Sequence, residues 1–426
     1  MSHQPNVGIQ RVAVSFFVPV VMADDPADPW QTGPYPNQWR VGSKKPLSGS
    51  RAGRASYINP GLDDLLYNGR WFRIPADPGC TVASAFEAKA FELYRLPTVS
   101  PRPNGILVVH GRITNASEPM RVLDLVVNHN EQHGKLMRAW VQGLLPSTAA
   151  VYPLHRRAEH ITLLTFRSAQ MVALPGLSSL DDKQLPNAWL AYIASSGRIV
   201  PDKDMISSVG NVIGMSISLR GLVSKAGIAL VGLQADSGRS DGRTGFDYGG
   251  AEFFVEGLYS DTILLAQLQK YTIRELREKL NAARAAGGAA DQLASLEQEL
   301  VAFRATYWRS DFAPQGSQDD FLKAYQQVNG IAAELDEIHN QIREYSDQVQ
   351  RHQQDLTNAV LGILTVLAFP FGIAVAIWGG MTNHSLVQLG IALGSALFFA
   401  ILTLLFPGTR ALLHGVLPRR MRRGQP

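Results

Sequence analysis

Between Leu356 and Thr409 the chain has no Asp, Glu, Lys or Arg, a lack of charge that excludes an ordinary water-facing surface for that stretch. Cysteine is nearly as scarce: Cys80 is the one thiol in 426 residues. That excludes a disulfide framework within one chain and a cysteine zinc site, and it suits a reducing compartment. No Gly-x-Ser-x-Gly elbow and no dinucleotide fingerprint occur, so no catalytic residue is assigned, no cofactor is implied and a non-enzyme is expected. His129-Asn130-Glu131-Gln132-His133 spaces two histidines four apart but lacks the order of the zinc-protease motif, and reads as a polar turn. Ser237-Gly238-Arg239-Ser240-Asp241-Gly242-Arg243-Thr244-Gly245 has the glycines of a phosphate loop without its Lys-Ser/Thr ending, and reads as a mobile hairpin loop.

What is present at the C-terminal end is apolar length. Gly379-Gly380-Met381-Thr382-Asn383-His384 divides the uncharged run into 357–380 and 386–406, each near the ~20 apolar residues that cross a bilayer core. Two transmembrane helices joined by an outer loop at 381–385 are expected. Arg410, Arg419, Arg420, Arg422 and Arg423 follow the second span, so the positive-inside rule puts the 407–426 tail, and with it the N-terminal region, in the cytoplasm of a cell (inner or plasma) membrane. Much of the formal net charge of +4 lies in this tail, which points to anionic headgroups and the lipid bilayer as partner, not to nucleic acid. Near the other end, Arg11 followed by Val12–Met22 and Ala23 has the order of a secretory signal, but it contains Ser15 and Pro19 and no small-x-small cleavage site. A buried strand is the expectation.

Before the first span, Ile331, Leu335, Ile338, Ile342, Tyr345, Val349, His352 and Leu356 recur in alternating steps of four and three. This heptad seam predicts a stalk helix over 319–356 that packs against other helices. No proline falls between Gln318 and Phe369, so one helix is expected to run from Asp319 to Trp378. Thr262–Ala286 and Ala290–Trp308 read as a helical hairpin within 256–318. Gly390-Ile391-Ala392-Leu393-Gly394 offers a small-xxx-small face in the second span. Seam and face together predict a homo-oligomer.

Residues 1–255 read as a cytoplasmic α/β or α+β domain. Strands are expected at Arg11–Met22, Gly105–Ile113, Val122–Asn128, Ile161–Ala173, Val212–Leu219 and Ile228–Gln234, and helices at His133–Leu145 and Leu180–Ala194. The Pro- and Gly-rich stretch 24–61 reads as a surface excursion pinned by Trp30, Tyr35 and Trp39.

Asn358, Leu361 and Thr365 fall on one helical face, and copies around an axis would present rings of amide, methyl and hydroxyl groups to a pore. Asp355, with Asp347 further up the stalk, would attract cations to the cytoplasmic mouth. Neutral oxygen donors can hold the water shell of Mg²⁺ without stripping it. The same polar groups could instead bond between neighbouring helices.

The run Asn358-Ala359-Val360-Leu361-Gly362-Ile363-Leu364-Thr365, then Pro370, then Trp378-Gly379-Gly380-Met381-Thr382-Asn383 resembles the CorA family of divalent-cation channels. The architecture is similar along the whole chain; the residue-level likeness covers about 30 positions, and Asn383 stands one place later than in the family's Gly-Met-Asn triplet. The resemblance implies a pentamer and a pore lined by Asn358, Leu361, Thr365, Gly379, Gly380, Met381 and Asn383. It also implies a divalent metal cation such as Mg²⁺ as transported or regulatory ion; no metal ligand is assigned.

Three functions fit: a CorA-like ion channel gated by its cytoplasmic domain, a membrane effector of the same architecture whose N-terminal domain binds a small signal molecule, and a binding module on a membrane anchor. A deep polar pocket in the N-terminal domain would favour the second.

Overall fold

The computed structural model describes residues 8–379, apart from short segments at 41–45, 81–82, 98–101, 115–117, 129–131, 154–156, 175–179, 208–209, 239–245, 287–289, 309–310 and 315, and isolated helical residues between 387 and 398. Strand β1, Ile9–Met22, is long, rich in Val and Phe, and almost wholly buried, as a strand enclosed on both faces must be. The short β2, Gln31–Thr32, β3, Gln38–Trp39, and β4, Leu47–Ser48, lie in the excursion that follows. Helices α1, Arg51–Ala55, and α2, Leu62–Tyr67, lead to β5, Arg70–Arg73, β6, Phe86–Arg95, and β7, Gly105–Ile113. Then come α3, Pro119–Val127, α4, Gln132–Leu144, β8, Ala149–Val151, β9, Glu159–Phe166, α5, Leu185–Ala194, and α6, Lys203–Ser207. Strands β10, Val212–Ser216, β11, Leu219–Val223, and β12, Ile228–Ala235, complete a sheet ordered β10-β11-β12-β9-β1-β7-β6-β5-β2, with β8 beside the end of β1. All pairs are antiparallel except β12 with β9.

Side-chain alternation divides the sheet into two unlike faces. Val12, Val14, Phe16, Val18 and Val20 of β1 join Leu123 and Val126 of α3, Met137 and Val141 of α4, and Trp189 and Ile193 of α5 in one apolar core. Burying each such Val, Leu or Phe contributes about 1.5–3 kcal/mol. Arg11 and Ser15, one position out of phase on β1, are turned instead toward a second helical layer. That layer is α7, Gly249–Phe254, a π-helical turn at Val255–Tyr259, and α8, Ser260–Ala285, with α10, Gln318–Val328, stacked on it through Tyr259 and Phe321, ring centroids 5.2 Å apart.

Several local expectations need correction. Val122–Asn128 is not a strand but the body of α3: Pro119 stands in its first turn, and Met120, Leu123, Val126 and Val127 are buried at helical spacing. Val212–Leu219 is not one strand but the start of the β10–β11 hairpin, and β9 stops at Phe166. Strand β6 has no clean alternation in sequence because the pairing register shifts between Ala88 and Ala90, which carries the apolar face from Phe86 and Ala88 to Phe91 and Leu93. The single helix expected from Asp319 to Trp378 is broken. Gly330 takes φ of 65°, a left-handed value that glycine accepts without a side-chain penalty; α10 ends there and α11, Ile331–Gly379, begins.

The chain divides into two compact units, Met1–Glu278 with Glu299–Glu337, and Lys279–Gln298 with Ile338–Pro426. The second holds α9, Ala290–Thr306, in part and most of α11. At 49 residues α11 is roughly 75 Å long. In the seam, Ile331, Leu335, Ile338 and Ile342 are buried, whereas Leu356 is 41% exposed. Beyond it Val360, Leu361, Leu364, Ile373 and Val375 are 45–65% exposed. Among the described residues no helix is long and apolar enough to cross a membrane, and the second expected span lies largely outside them.

His160 on β9 is enclosed with Nδ1 2.9 Å from Thr162 Oγ1 and Nε2 3.0 Å from Ser196 Oγ. Burial, assisted by the positive charge of Arg157, pushes its pKa down to about 3. The folded value is below the unfolded one of about 6.5, so this residue's contribution is fully present above pH 6.5 and is lost as pH falls toward 3, at about 1.4 kcal/mol per pH unit. Thermal unfolding of the full-length chain at pH 7, 6 and 5 should show a steeper loss for wild type than for His160→Gln; equal slopes would contradict the assignment.

Candidate functional site

The polar face of the sheet meets three carboxylates of one helical segment, Glu252, Glu256 and Asp261. In an unbroken α-helix the step from Glu252 to Asp261 is two and a half turns, which puts the two on opposite sides. Here the π-helical turn intervenes, with non-helical angles at Gly257 (φ −119°, ψ −106°), and shifts the register so that both face the sheet.

The inner half is a closed ionic cluster. Arg70 of β5 donates to Asp261 Oδ1 and to Glu92 Oε2 of β6, both at 2.6 Å, and Arg54 of α1 reaches the same Asp261 oxygen at 2.8 Å. Tyr67 donates to the other Asp261 oxygen at 3.0 Å. His110 Nε2 on β7 lies 2.8 Å from Glu92 Oε2, and its Nδ1 lies 2.7 Å from Ser15 Oγ. Burial would raise the Glu92 pKa, but Arg70, Arg54 and His110 together hold it well below the usual carboxylate range. Ser15, His110 and Glu92 thus form a hydrogen-bonded chain of the residue types of a hydrolase relay, but with the ring nitrogens reversed: the serine meets Nδ1 and the carboxylate Nε2. All three are fully buried, and Arg70 also pairs with the carboxylate.

The outer half opens into a cavity of about 500 Å³ whose lining includes Gln10, Arg11, Gln38, Trp39, Lys89, Arg112, Thr114, Asp247, Glu252 and Glu256. Glu252 anchors it. Arg112 clasps both carboxylate oxygens with Nε and Nη2, Arg11 Nη1 donates at 2.5 Å, and Lys89 Nζ donates to Glu252 and Glu256 at 2.5 Å each. Burial works against ionisation of Glu252, but the Arg112 bond and the charges of Lys89, Arg112 and Arg11 hold its pKa at about 2. Arg11 also pairs with Asp236 at 3.1 Å. Trp39 donates to Asp247 at 3.1 Å and lies so close to Gly250 that a Cβ there would be 2.8 Å from the indole.

Irregular pairing points two of these side chains into the cavity. Register shifts fall at Gln10 on β1 and at Lys89 on β6, and a bulge re-aims the extra residue. Neither signal was legible in sequence, because a bulge is defined by the partner strand. The three carboxylates were also missed: their spacing has no meaning until the π-helical turn is known. The loop at 237–245 was singled out; Gly238 lines the cavity, and 239–245 lie outside the described residues.

Of the expected pore residues, Asn358, Leu361 and Thr365 lie on the one continuous helix α11 and are exposed, as are Asp347 and Asp355. Thr365 Oγ1 donates to the Leu361 carbonyl at 2.8 Å. Gly379 ends α11, and Gly380, Met381 and Asn383 lie outside the described residues. His133 is in the first turn of α4, while His129 lies outside the described residues. Among the described residues no group of three or more His, Cys, Asp or Glu could hold a metal ion. No protein-family model matches the chain, and no curated protein or solved structure is significantly similar to it.

Removing one partner of a buried ionic cluster leaves the others uncompensated. Arg70→Leu should therefore cost about 3–5 kcal/mol, read as a lowered urea midpoint of the full-length chain. Arg51→Ala, which removes an exposed pair with Asp64, should cost less than about 1 kcal/mol.

Proposed function

We propose that this chain is a homo-oligomeric, ion-conducting membrane protein of CorA-like architecture, carrying hydrated divalent cations such as Mg²⁺ through a pore of α11 helices, with the sheet domain and both termini on the cytoplasmic side of the cell membrane. The observation that carries the proposal is the C-terminal part of α11, where an uncharged sequence exposes Val360, Leu361, Leu364, Ile373 and Val375. An apolar surface of this length needs lipid or other copies of the chain to cover it. Two transmembrane helices, 357–380 and 386–406, with a short outer loop would meet that need. Asn358 and Thr365 would line the path with neutral oxygens, Leu361 would form its apolar constriction, and Asp355 and Asp347 would concentrate cations at its mouth. Gly379, Gly380, Met381 and Asn383 would form the outer mouth.

A second reading is favoured by the charged cavity: a membrane effector in which the sheet domain binds a small signal molecule. A physical route from cavity to stalk supports it. The segment that carries Glu252 continues as α8, whose Lys270 donates to Glu159 of β9 at 2.7 Å and to Asn329 at 3.1 Å, beside the left-handed Gly330 where α11 begins. Tyr325 of α10 bonds the same Glu159. Glu252 and the α10–α11 joint are thereby connected by one continuous helical segment and the hydrogen bonds of Lys270.

Ion flux into liposomes carrying the purified protein should show divalent permeation above K⁺, reduced at least about tenfold by Asn358→Leu, which replaces a ring of amides with apolar groups. Flux unaltered by Asn358→Leu would remove the pore from this face, and no flux of any ion with or without small-molecule ligands would leave the hairpin as an anchor.

A further inference from the structure

The cavity at Glu252 is built so that its cations face outward and its anions face inward. The Arg112, Lys89 and Arg11 side chains are 44%, 26% and 12% exposed, whereas Glu252 and Glu256 are 3% and 6%. Both carboxylates are engaged from within the protein, Glu252 by Arg112, Arg11 and Lys89 and Glu256 by Lys89 and the Asn37 amide. The cations keep N–H groups to offer: Arg112 binds Glu252 through Nε and Nη2, which leaves Nη1 without a partner among the described residues, and Lys89 has a third N–H beyond the two given to Glu252 and Glu256. Two long side chains that ordinarily keep most of their rotamer freedom are thus fixed before any ligand arrives, which lowers the ordering cost of binding. Beyond them the lining changes character. Gln10, Gln38 and Thr114 supply neutral donors and acceptors, and Trp39, held by Asp247 and Gly250, supplies an aromatic surface.

We infer that this cavity is a binding site for a small phosphorylated organic molecule with a planar ring, its phosphate on Arg112 and Lys89 and its ring and hydroxyl groups toward Trp39, Gln10 and Gln38. A guanidinium edge and an ammonium together match a phosphate group. About 500 Å³ is within the range of small-molecule sites and far more than a bare phosphate fills. Among the described residues, the balance of charge on the lining, three cations against Asp247, Glu252 and Glu256, disfavours a highly charged polyanion and suits a ligand with one phosphate. The inference deepens the effector reading and rests on it for its consequence in the membrane; binding itself is measured without ion flux, so either can fail alone.

Calorimetric titration of the full-length protein in detergent with adenosine monophosphate, adenosine and inorganic phosphate tests it. Adenosine monophosphate should bind saturably and at least about tenfold more tightly than adenosine, which lacks the charge-assisted hydrogen bonds of the phosphate, or than inorganic phosphate, which lacks the ring. Arg112→Gln should weaken it by at least about tenfold, while Arg220→Gln, in a separate hollow lined by Asp182 and Lys183, should leave it unchanged. Gln10→Glu guards against misfolding of the arginine variant: it adds a negative charge to the same cavity lining, takes away the amide N–H offered to the ligand, leaves the Arg112 and Lys89 ion pairs in place, and should weaken binding of the anionic ligand to a similar degree. Equal affinity for adenosine and its monophosphate, binding insensitive to both Arg112→Gln and Gln10→Glu, or no heat from adenosine monophosphate at millimolar concentration would each overturn the assignment.

Discussion

Everything on the polar face of the sheet depends on the need to compensate three buried carboxylates carried by one helical segment. A buried ion costs several kcal/mol unless it is paired and hydrogen-bonded, so Glu252, Glu256 and Asp261 dictate what stands opposite them. Arg70 and Arg54 must be at Asp261, and Arg11, Lys89 and Arg112 at Glu252. This explains why the central strand β1, rich in Val and Phe, tolerates Arg11 and Ser15. It also explains why the excursion at 24–61 returns to the body: it delivers Asn37 to Glu256, Trp39 to Asp247 and Arg54 to Asp261.

The two halves of this ionic face behave differently because of solvent. The inner cluster is sealed and its charges pair with one another, with Arg70 Nε left without a hydrogen-bond partner, and its Ser-His-Glu chain lies wholly within the buried interior. The outer cluster is built from the same residue types and differs in having its cations partly open to a cavity. Burial of the carboxylates and exposure of the guanidinium and ammonium groups is what turns an ion-pair network into a candidate anion site. The distinction is one of position, not of composition.

The long helices answer to a different constraint. The first four seam positions of α11 are covered by this chain, and those near and beyond Leu356 are not. A heptad pattern states only that a helix face will be buried; whether by the same chain, by a second copy or by lipid is decided by what lies within reach. For α11 the burial of the seam changes along its length, and the division between the two compact units falls within the helix, between Glu337 and Ile338, not at the break at Gly330.

The sequence by itself determined the α/β character of the N-terminal region, the long helices after it and the position of most strands with continuous apolar runs, because side-chain periodicity is a local property. It also singled out 357–406 as a stretch without Asp, Glu, Lys or Arg, since absence of charge needs no tertiary context to be read. Tertiary structure alone decided that Val122–Val127 is a helix and that β6 changes face at Lys89. It alone decided that Glu252 and Asp261, nine positions apart, look the same way. Each of these depends on a partner distant in the chain, a strand register or a π-helical turn, and no local pattern of residues carries that information.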